Sequence, residues 1–458
     1  MPRKPSVHCR SYCALALSLT ATVFRLQAVT AQKCHLTKEL HLSGSSQKFG
    51  KPLIYLRLFL GSSAVWFSSI ALAEQSVSFG TNASSGNFLG GHQTLNSNWG
   101  AQWTLSYDEL GEHFGVGIHA GVVGVSDVIR LDGSYVELHT GDWTYGLGAV
   151  DRHWSPSRHS SMILSTNARP FLSAYLGKND FSSFDTPLLA WIGPWKADLF
   201  LGQTEGDINP EHTKLFGARL QLQPLSGLEI ELARTSQWGG EGRSERLRTL
   251  FAMLFGKANE GAAAEVNQLA GIGISYTLPQ DLAPVRLYAQ AIGEDEAGYL
   301  PSCFMYLGGV EGNVNVLGNP TIITLEGATT EIGETPGGYC GPGTAYNNSR
   351  YAGGYTNFGE SMGLPIDSEG RLLQLIFETE LPKFNLHWSL AYHEINTHNK
   401  SSHRLTSVEQ DGLLARVGLT RKIENYSVTS EVWYQSYDLD TADVRRGPGV
   451  SFGVSVAF

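Results

Sequence analysis

The chain closes on Gly449-Val-Ser-Phe-Gly-Val-Ser-Val-Ala-Phe458. Val450, Phe452, Val454, Val456 and Phe458 alternate with Ser451, Gly453, Ser455 and Ala457. Successive side chains of a strand point to opposite faces, so one face here is wholly apolar and the other small and polar. A membrane strand with lipid outside, a polar lumen inside and a boundary aromatic has this pattern. An edge strand of a soluble sandwich has it too, and these ten residues alone do not separate the two.

The rest of the chain does. Alternating apolar faces recur at 99–107, 114–122, 218–222, 272–278, 285–291, 373–381, 386–392, 413–419 and 426–434. Working back from Phe458, the connections alternate in length. Those at 441–448, 396–411, 294–371, 237–270 and 203–214 are medium to very long; those at 422–425, 382–385, 279–284, 224–227 and 193–196 are short. Outer-membrane barrels have long external loops and short periplasmic turns, and a sandwich has no reason to produce that alternation. Further strands are expected at 76–80, 99–107, 114–125, 131–139, 142–150, 161–166 and 170–177. The fold class expected is all-β: a transmembrane antiparallel barrel of about 18 strands, an even number that leaves both strand ends in the periplasm.

The front reads differently. Lys48, Lys51 and Arg57 precede an apolar run at 58–72 that closes on Ala71-Leu72-Ala73, a small-x-small cleavage signal. Residues 1–73 are expected to be an upstream extension with a secretory signal peptide, and 74–458 the barrel. The leader takes nine Lys/Arg and one Glu from the chain's 33 basic and 43 acidic residues, leaving the body 24 and 42, a net charge of −18. Such a body argues against nucleic acid as a partner, because phosphates need a basic surface.

Two loops carry more than turns. In 237–270, Leu247, Leu250, Phe251 and Leu254 stand at helical spacing and Ala262–Ala264 with Val266 continue it, so a short helical insertion is expected. The 294–371 loop holds Cys303 and Cys340, and a stretch this long is expected to fold as a lid across the mouth. In an oxidising compartment an isolated cysteine pair is most simply a disulfide; metal ligation is the rival, with no histidine cluster nearby. No cofactor is expected, for there is no metal triad, phosphate loop or heptad. Gly449-Val-Ser451-Phe-Gly453 fits the serine-hydrolase elbow, but that elbow needs a strand-to-helix turn and this one lies within a strand.

Two segments are dense in side chains that recognise sugars. One is Arg152-His153-Trp154-Ser-Pro-Ser-Arg158-His159; the other runs from Arg234 through Trp238-Gly-Gly-Glu241-Gly-Arg243. Tryptophan covers the apolar C–H face of a sugar, and Arg, Glu and His bond its hydroxyl edge. Arginine would also pair bidentately with an acidic sugar's carboxylate. The competing reading packs Trp154 and Trp238 onto the barrel mouth, with the arginines satisfying loop carbonyls.

At these residues the chain resembles the capsule-assembly outer-membrane protein (Wzi) family. The matching stretches are Gly133-Ser-Tyr-Val-Glu-Leu138 with Gly141-Asp-Trp143, Val150-Asp-Arg-His-Trp-Ser-Pro156, Ser161-Met-Ile-Leu-Ser-Thr-Asn-Ala-Arg-Pro170, Lys214-Leu-Phe-Gly-Ala-Arg219, Gln237-Trp-Gly-Gly-Glu-Gly-Arg243, Asn267-Gln-Leu-Ala-Gly271 and Gly293-Glu-Asp-Glu-Ala-Gly298. The last adds Glu294 and Asp295 to the glycan-binding candidates. The resemblance implies an outer-membrane lectin that holds exported capsular or extracellular polysaccharide at the cell surface and has no catalytic activity. Three features depart from the family. Alternating strands begin soon after Ala73, where the family has a helical periplasmic bundle; His153-Trp154 and Ser155-Pro156-Ser157 stand where the family has a double tryptophan and Gly-Pro-Gly; and Arg350–Gly370 follows the family only loosely.

The expectation is a monomer in outer-membrane lipid that tethers acidic or neutral polysaccharide. A strongly anionic polymer would be repelled over about a Debye length, ~8 Å, so contacts must be local, through Arg152, Arg158, Arg243, Arg246 and Arg248. A porin or polysaccharide-export channel is the second reading, and an outer-membrane hydrolase the third.

Overall fold

The computed structural model describes residues 74–85, 88–90, 100–123, 129–186, 188–206, 209–246, 249, 266–279, 281–297 and 300–458. The expected leader, 1–73, lies outside them. Strands β1 (Glu74–Ser85), β2 (Gly100–Leu110) and β3 (Phe114–Val123) lead into β4, interrupted as Ile129–Arg130 and Tyr135–Thr140. Then come β5 (Trp143–Gly148), β6 (Ser173–Lys178), β7 (Trp195–Gln203), β8 (Lys214–Leu225) and β9 (Leu228–Trp238). The second half is β10 (Asn267–Thr277), β11 (Val285–Ala297), β12 (Leu300–Val316), β13 (Asn319–Thr329), β14 (Arg371–Leu381), β15 (Phe384–Ile395), β16 (Gln410–Ile423), β17 (Tyr426–Gln435) and β18 (Gly447–Ala457). Each strand pairs antiparallel with the next, and β1 closes on β18 from Ser78↔Ala457 to Ser85↔Val450. The result is a closed barrel of 18 strands. Closure gives the ladder no free edge, which an apolar solvent requires of any sheet.

The alternation read from the terminal stretch points as expected. Val450 and Phe452 are 46% and 52% exposed on the outside, while Ser451 faces in. Ile118, Leu147, Ile274, Leu325, Leu390 and Val417 continue the outer apolar belt. Exposed apolar surface on this scale is far beyond what a soluble monomer tolerates, and hydrocarbon removes the cost.

Connections at 111–113, 141–142, 226–227, 278–284, 317–318, 382–383 and 424–425 are short and lie at the end that carries Glu74 and Ala457, the turn end. The opposite end, the loop end, carries 149–172, 204–213, 239–266, 330–370, 396–409 and 436–446. Two connections break the alternation: β11 and β12 are joined at the loop end by only two residues, between Ala297 and Leu300, and a turn-end connection is long. Residues 179–194 form a long turn-end segment with a 3-10 turn at Ala190–Ile192 and Trp191 77% exposed.

Two expected strands are corrected. Residues 161–166 are not a barrel strand, and the crossing that a short connection at 193–196 implied just ahead of Gly193 is loop and 3-10 turn. Two strands, β12 and β13, lie inside the 294–371 stretch read as one loop. The errors offset, which is why the total stands. Gly308 and Gly312 stand at outward positions of β12, and Ile322-Ile323 in β13 breaks the two-residue period, so neither strand shows a clean apolar face. Met162-Ile-Leu164 misleads in the other direction: a continuous apolar run bounded by serines reads as a buried strand, and here it is a buried loop. The helical insertion lies mostly outside the described residues and finds no support; its last expected residues, Asn267–Ala270, are strand.

Candidate functional site

The lumen is built from loops. Segment 149–172 turns inward and folds on itself, with Trp154 N–H donating to Leu164 O at 2.8 Å and Ser161 Oγ donating to Trp154 O at 2.7 Å. Met162, Ile163 and Leu164 are at most 2% exposed. The wall holds the segment through polar contacts. Gln290 of β11 donates to Trp154 O at 2.8 Å and accepts from Met162 N–H at 2.9 Å. Ser157 Oγ and Tyr288 Oη both donate to Glu326 of β13. Arg286 donates to Pro156 O at 2.5 Å, and Arg158 pairs with Glu311 at 3.2 Å. These donors and acceptors stand on inward positions that alternation keeps polar, so the same period that greases the outside supplies anchors for the plug.

Here the candidates of the first dense segment are consumed. The Arg152 guanidinium lies 4.5 Å above the Phe200 ring and donates to Ser173 Oγ at 2.7 Å. His153 Nε2–H donates to Ser157 O at 2.7 Å. Trp154 is 3% exposed and packs on Phe200 with centroids 5.4 Å apart. Only Arg158 opens to solvent, at the rim of a turn-end cavity of ≈ 630 Å³ shared with Asn313, Glu378 and His387. The departure at Ser155-Pro156-Ser157 has a structural use. Ser157 N–H donates to Ser155 Oγ at 3.1 Å, and Ser157 Oγ accepts from His159 N–H and Ser160 N–H at 3.0 and 3.2 Å. The serines thus close the turn at the plug's inner tip, which glycines would leave without side-chain bonds.

Loop 330–370 lies over this plug. Tyr346 and Tyr355 stack with centroids 6.1 Å apart. Tyr346 Oη donates to Met162 O at 2.8 Å, and Tyr355 Oη to Thr235 Oγ1 of β9 at 2.9 Å. Burial holds both phenols well above the usual tyrosine range, so they stay neutral donors. A Cβ on Gly363 would stand 2.3 Å from Tyr346 Oη, which fixes glycine there. Cys303, near the top of β12, is disulfide-bonded to Cys340 and ties the loop to the wall. Arg404, from 396–409, donates Nε to Asp367 Oδ2 at 2.6 Å and Nη1 to Asn347 Oδ1 at 2.6 Å. Burial alone would depress that guanidinium, but Asp367 more than offsets it and the pKa is raised.

The second dense segment ends differently. Trp238 is 5% exposed beneath the loops, but the chain then turns outward through Gly239, Gly240 and Gly242 at φ 64°, 95° and 74°. Glu241 is exposed, its N–H donating to Glu211 O at 2.8 Å. The Arg243 guanidinium sits 4.9 Å from the Tyr351 ring and donates to the Arg350 carbonyl. Glu294 is buried and accepts from Tyr346 N–H. Asp295 stands opposite Ser302 in the β11–β12 ladder. So Glu241 and Arg243 reach the loop-end surface, Arg158 the turn end, and Arg152, His153, Trp154, Trp238 and Glu294 serve the interior.

The structure adds residues the sequence did not single out. A polar hollow of ≈ 360 Å³ at the loop end is lined by Asn347, Asn348, Ser349, Lys400 and Ser402. Arg404, held by Asp367, also lines it, as does His403, whose Nε2–H donates to Ser368 O at 2.9 Å. Nothing local in 396–409 marks it. The hollow arises because 343–349 folds against that loop, and no spacing within either stretch encodes the meeting.

A sequence profile described as capsule assembly protein Wzi matches residues 71–447. A Klebsiella pneumoniae protein described as an uncharacterized 55.8 kDa protein in the cps region is 32% identical over 216 residues, 46% of this chain and 43% of that protein, so the match spans less than half of that relative's length. The Escherichia coli outer-membrane protein Wzi, described as involved in group 1 capsule assembly and as a carbohydrate-binding β-barrel, superposes with a TM-score of 0.72 at 24% identity over 88% of each chain. That likeness bears on the fold. With the profile covering most of the barrel, the chain belongs to the capsule assembly protein Wzi family.

Proposed function

We propose that this protein is a non-catalytic outer-membrane barrel that holds exported capsular or extracellular polysaccharide at the cell surface through its loop end. The observation that carries this reading is the filled lumen. Inward residues of nine consecutive strands, from Phe200 of β7 to Ala391 of β15, pack on 149–172 and 330–370 in one buried cluster. A pore would leave those faces wet. With the bore occupied, polymer contact falls to the loop end, where exposed Glu241 and Ser402 and half-buried Arg243, Asn348 and Lys400 offer charge and hydroxyl-matching groups. In this reading the barrel is a monomer, residues 1–73 are the exported chain's leader, and the exposed apolar belt supports outer-membrane lipid as its surroundings.

The test is polymer retention. An Arg243→Ala/Lys400→Ala variant should release polymer from cells to the medium while the barrel keeps its heat-modifiable electrophoretic mobility. Unchanged retention removes the loop-end assignment. Planar-bilayer conductance addresses the channel reading: steady porin-sized current from the purified barrel would favour it over tethering.

A further inference from the structure

A wide hollow lies on the outer wall. It measures ≈ 1240 Å³ and straddles the loop-end rim over β12 to β15. The strand register sets its shape. One outward row reads Gly308↔Gly327↔Leu373↔Tyr392. The next row toward the loop end reads Tyr306↔Thr329↔Arg371↔Glu394. The row below reads Val310↔Leu325↔Leu375↔Leu390, part of the apolar belt. Two glycines side by side remove the side chains from one stretch of wall, between Tyr306, 54% exposed, and Leu373, 56% exposed.

The trough therefore changes character over its height. Its lower side continues the surface that meets hydrocarbon. Its upper side carries Arg371, whose Nε donates to Glu331 at 2.6 Å and whose Nη1 donates to Glu394 at 3.0 Å. Above them stand Thr397, His398 and Glu409. A molecule that fits both halves has an acyl tail and a hydroxyl-rich head. The rim's carboxylates outnumber its one arginine, which disfavours an anionic head. Carboxylates and arginine are the groups that bond sugar hydroxyls, and Tyr306 and Tyr392 offer ring faces to sugar C–H groups.

We propose that this trough binds a membrane glycolipid of the leaflet at the loop end, its acyl chain on Gly308, Gly327 and Leu373 and its sugar head under Arg371 and Glu394. The trough shares Pro342 with the loop-end hollow, but Gly308, Gly327 and Leu373 line the trough and not that hollow; the proposal rests only on the barrel being membrane-embedded.

The glycines supply the test. A Cβ at Gly308 would meet nothing closer than Tyr288 O at 3.6 Å, so a large side chain there fills the trough without disturbing the ladder. Gly312 faces outward on the same strand with nothing within 4 Å, below the trough, and serves as the control. The full barrel is placed in nanodiscs of phosphatidylethanolamine and phosphatidylglycerol doped with a monoglucosyl diacylglycerol, and lipids retained on release are counted by native mass spectrometry. Wild type and Gly312→Trp should retain the glucosyl lipid about tenfold over phosphatidylglycerol, and Gly308→Trp should lose that preference. Equal retention by Gly308→Trp and wild type overturns the proposal, as does a wild type that prefers phosphatidylglycerol or neither lipid. Cell-surface polymer retention should be unchanged in Gly308→Trp, so failure here and failure of the tethering role are read separately.

Discussion

Segments 152–159 and 234–243 have almost the same chemistry and opposite fates. Each sets arginine and tryptophan at a loop-end boundary, the first in the 149–172 loop and the second at the end of β9 and in the loop that follows. The first turns inward and meets Gln290, Glu326, Glu311 and Arg286 on the wall, which take up its carbonyls, hydroxyls and guanidinium. The second buries its tryptophan but leaves through three positive-φ glycines, so Glu241 and Arg243 finish outside. Residue density marked both as important and could not say for what. The partners across the lumen, far off in sequence, decide whether a tryptophan packs a plug or a surface loop.

That contrast can be broken at several depths. The largest effect is expected at Trp154→Ala, which empties a buried site against Phe200 and should cost about 3–5 kcal/mol. Urea unfolding in detergent measures it, and a loss below about 1 kcal/mol would mean the indole does not pack the plug. Next is the tie over the plug. Cys303→Ser/Cys340→Ser should lower stability by about 2–4 kcal/mol and expose 330–370 to protease while the strands stay protected. Equal protease resistance with and without the bond would show the loop held by packing alone. Third, Arg243→Ala should cost about 1 kcal/mol or less, because its half-buried guanidinium gives up a cation–π contact with Tyr351 and a bond to the Arg350 carbonyl, yet lower polymer retention. A folding defect there would place the residue with Trp154 and erase the contrast.

The smallest effect concerns pH. Ser407 Oγ and then Ser407 N–H donate to Asp440, holding its carboxyl below the usual aspartate range. A depressed folded pKa stabilises fully above the unfolded value of about 3.9 and is lost as pH falls below it. Protease cutting in 436–446 should therefore rise only in acid, and Asp440→Asn should cut alike at neutral and acid pH. Cutting that rises in neutral solution in the wild type would contradict the pairing.

The barrel was legible because its physics is local. Each crossing repeats a two-residue period, and a run such as 413–419 shows it without knowledge of any neighbour. Where Gly308 and Gly312 stood on the outward face, the period vanished from the sequence although the strand did not. The plug was legible only as dense loops, for its direction depends on Gln290 and Glu326 meeting Trp154 and Ser157 across the bore. The hollow at Asn348 and Lys400 left no mark, since two distant loops build it jointly.

The seam between β1 and β18 bears on how the molecule is made. Ser78 to Ser85 find their second neighbour only in Val450 to Ala457, the barrel's eighteenth strand in chain order. Until that strand arrives, β1 and β17 are open templates for any other extended chain. Loop closure over nearly the whole polypeptide is slow, so the unsealed sheet must be shielded for as long as assembly takes. A substitution that weakens the seam, such as proline at Val454, whose backbone lies between Thr81 and Val428, should reduce the yield of sealed barrels far more than it lowers the stability of those that form.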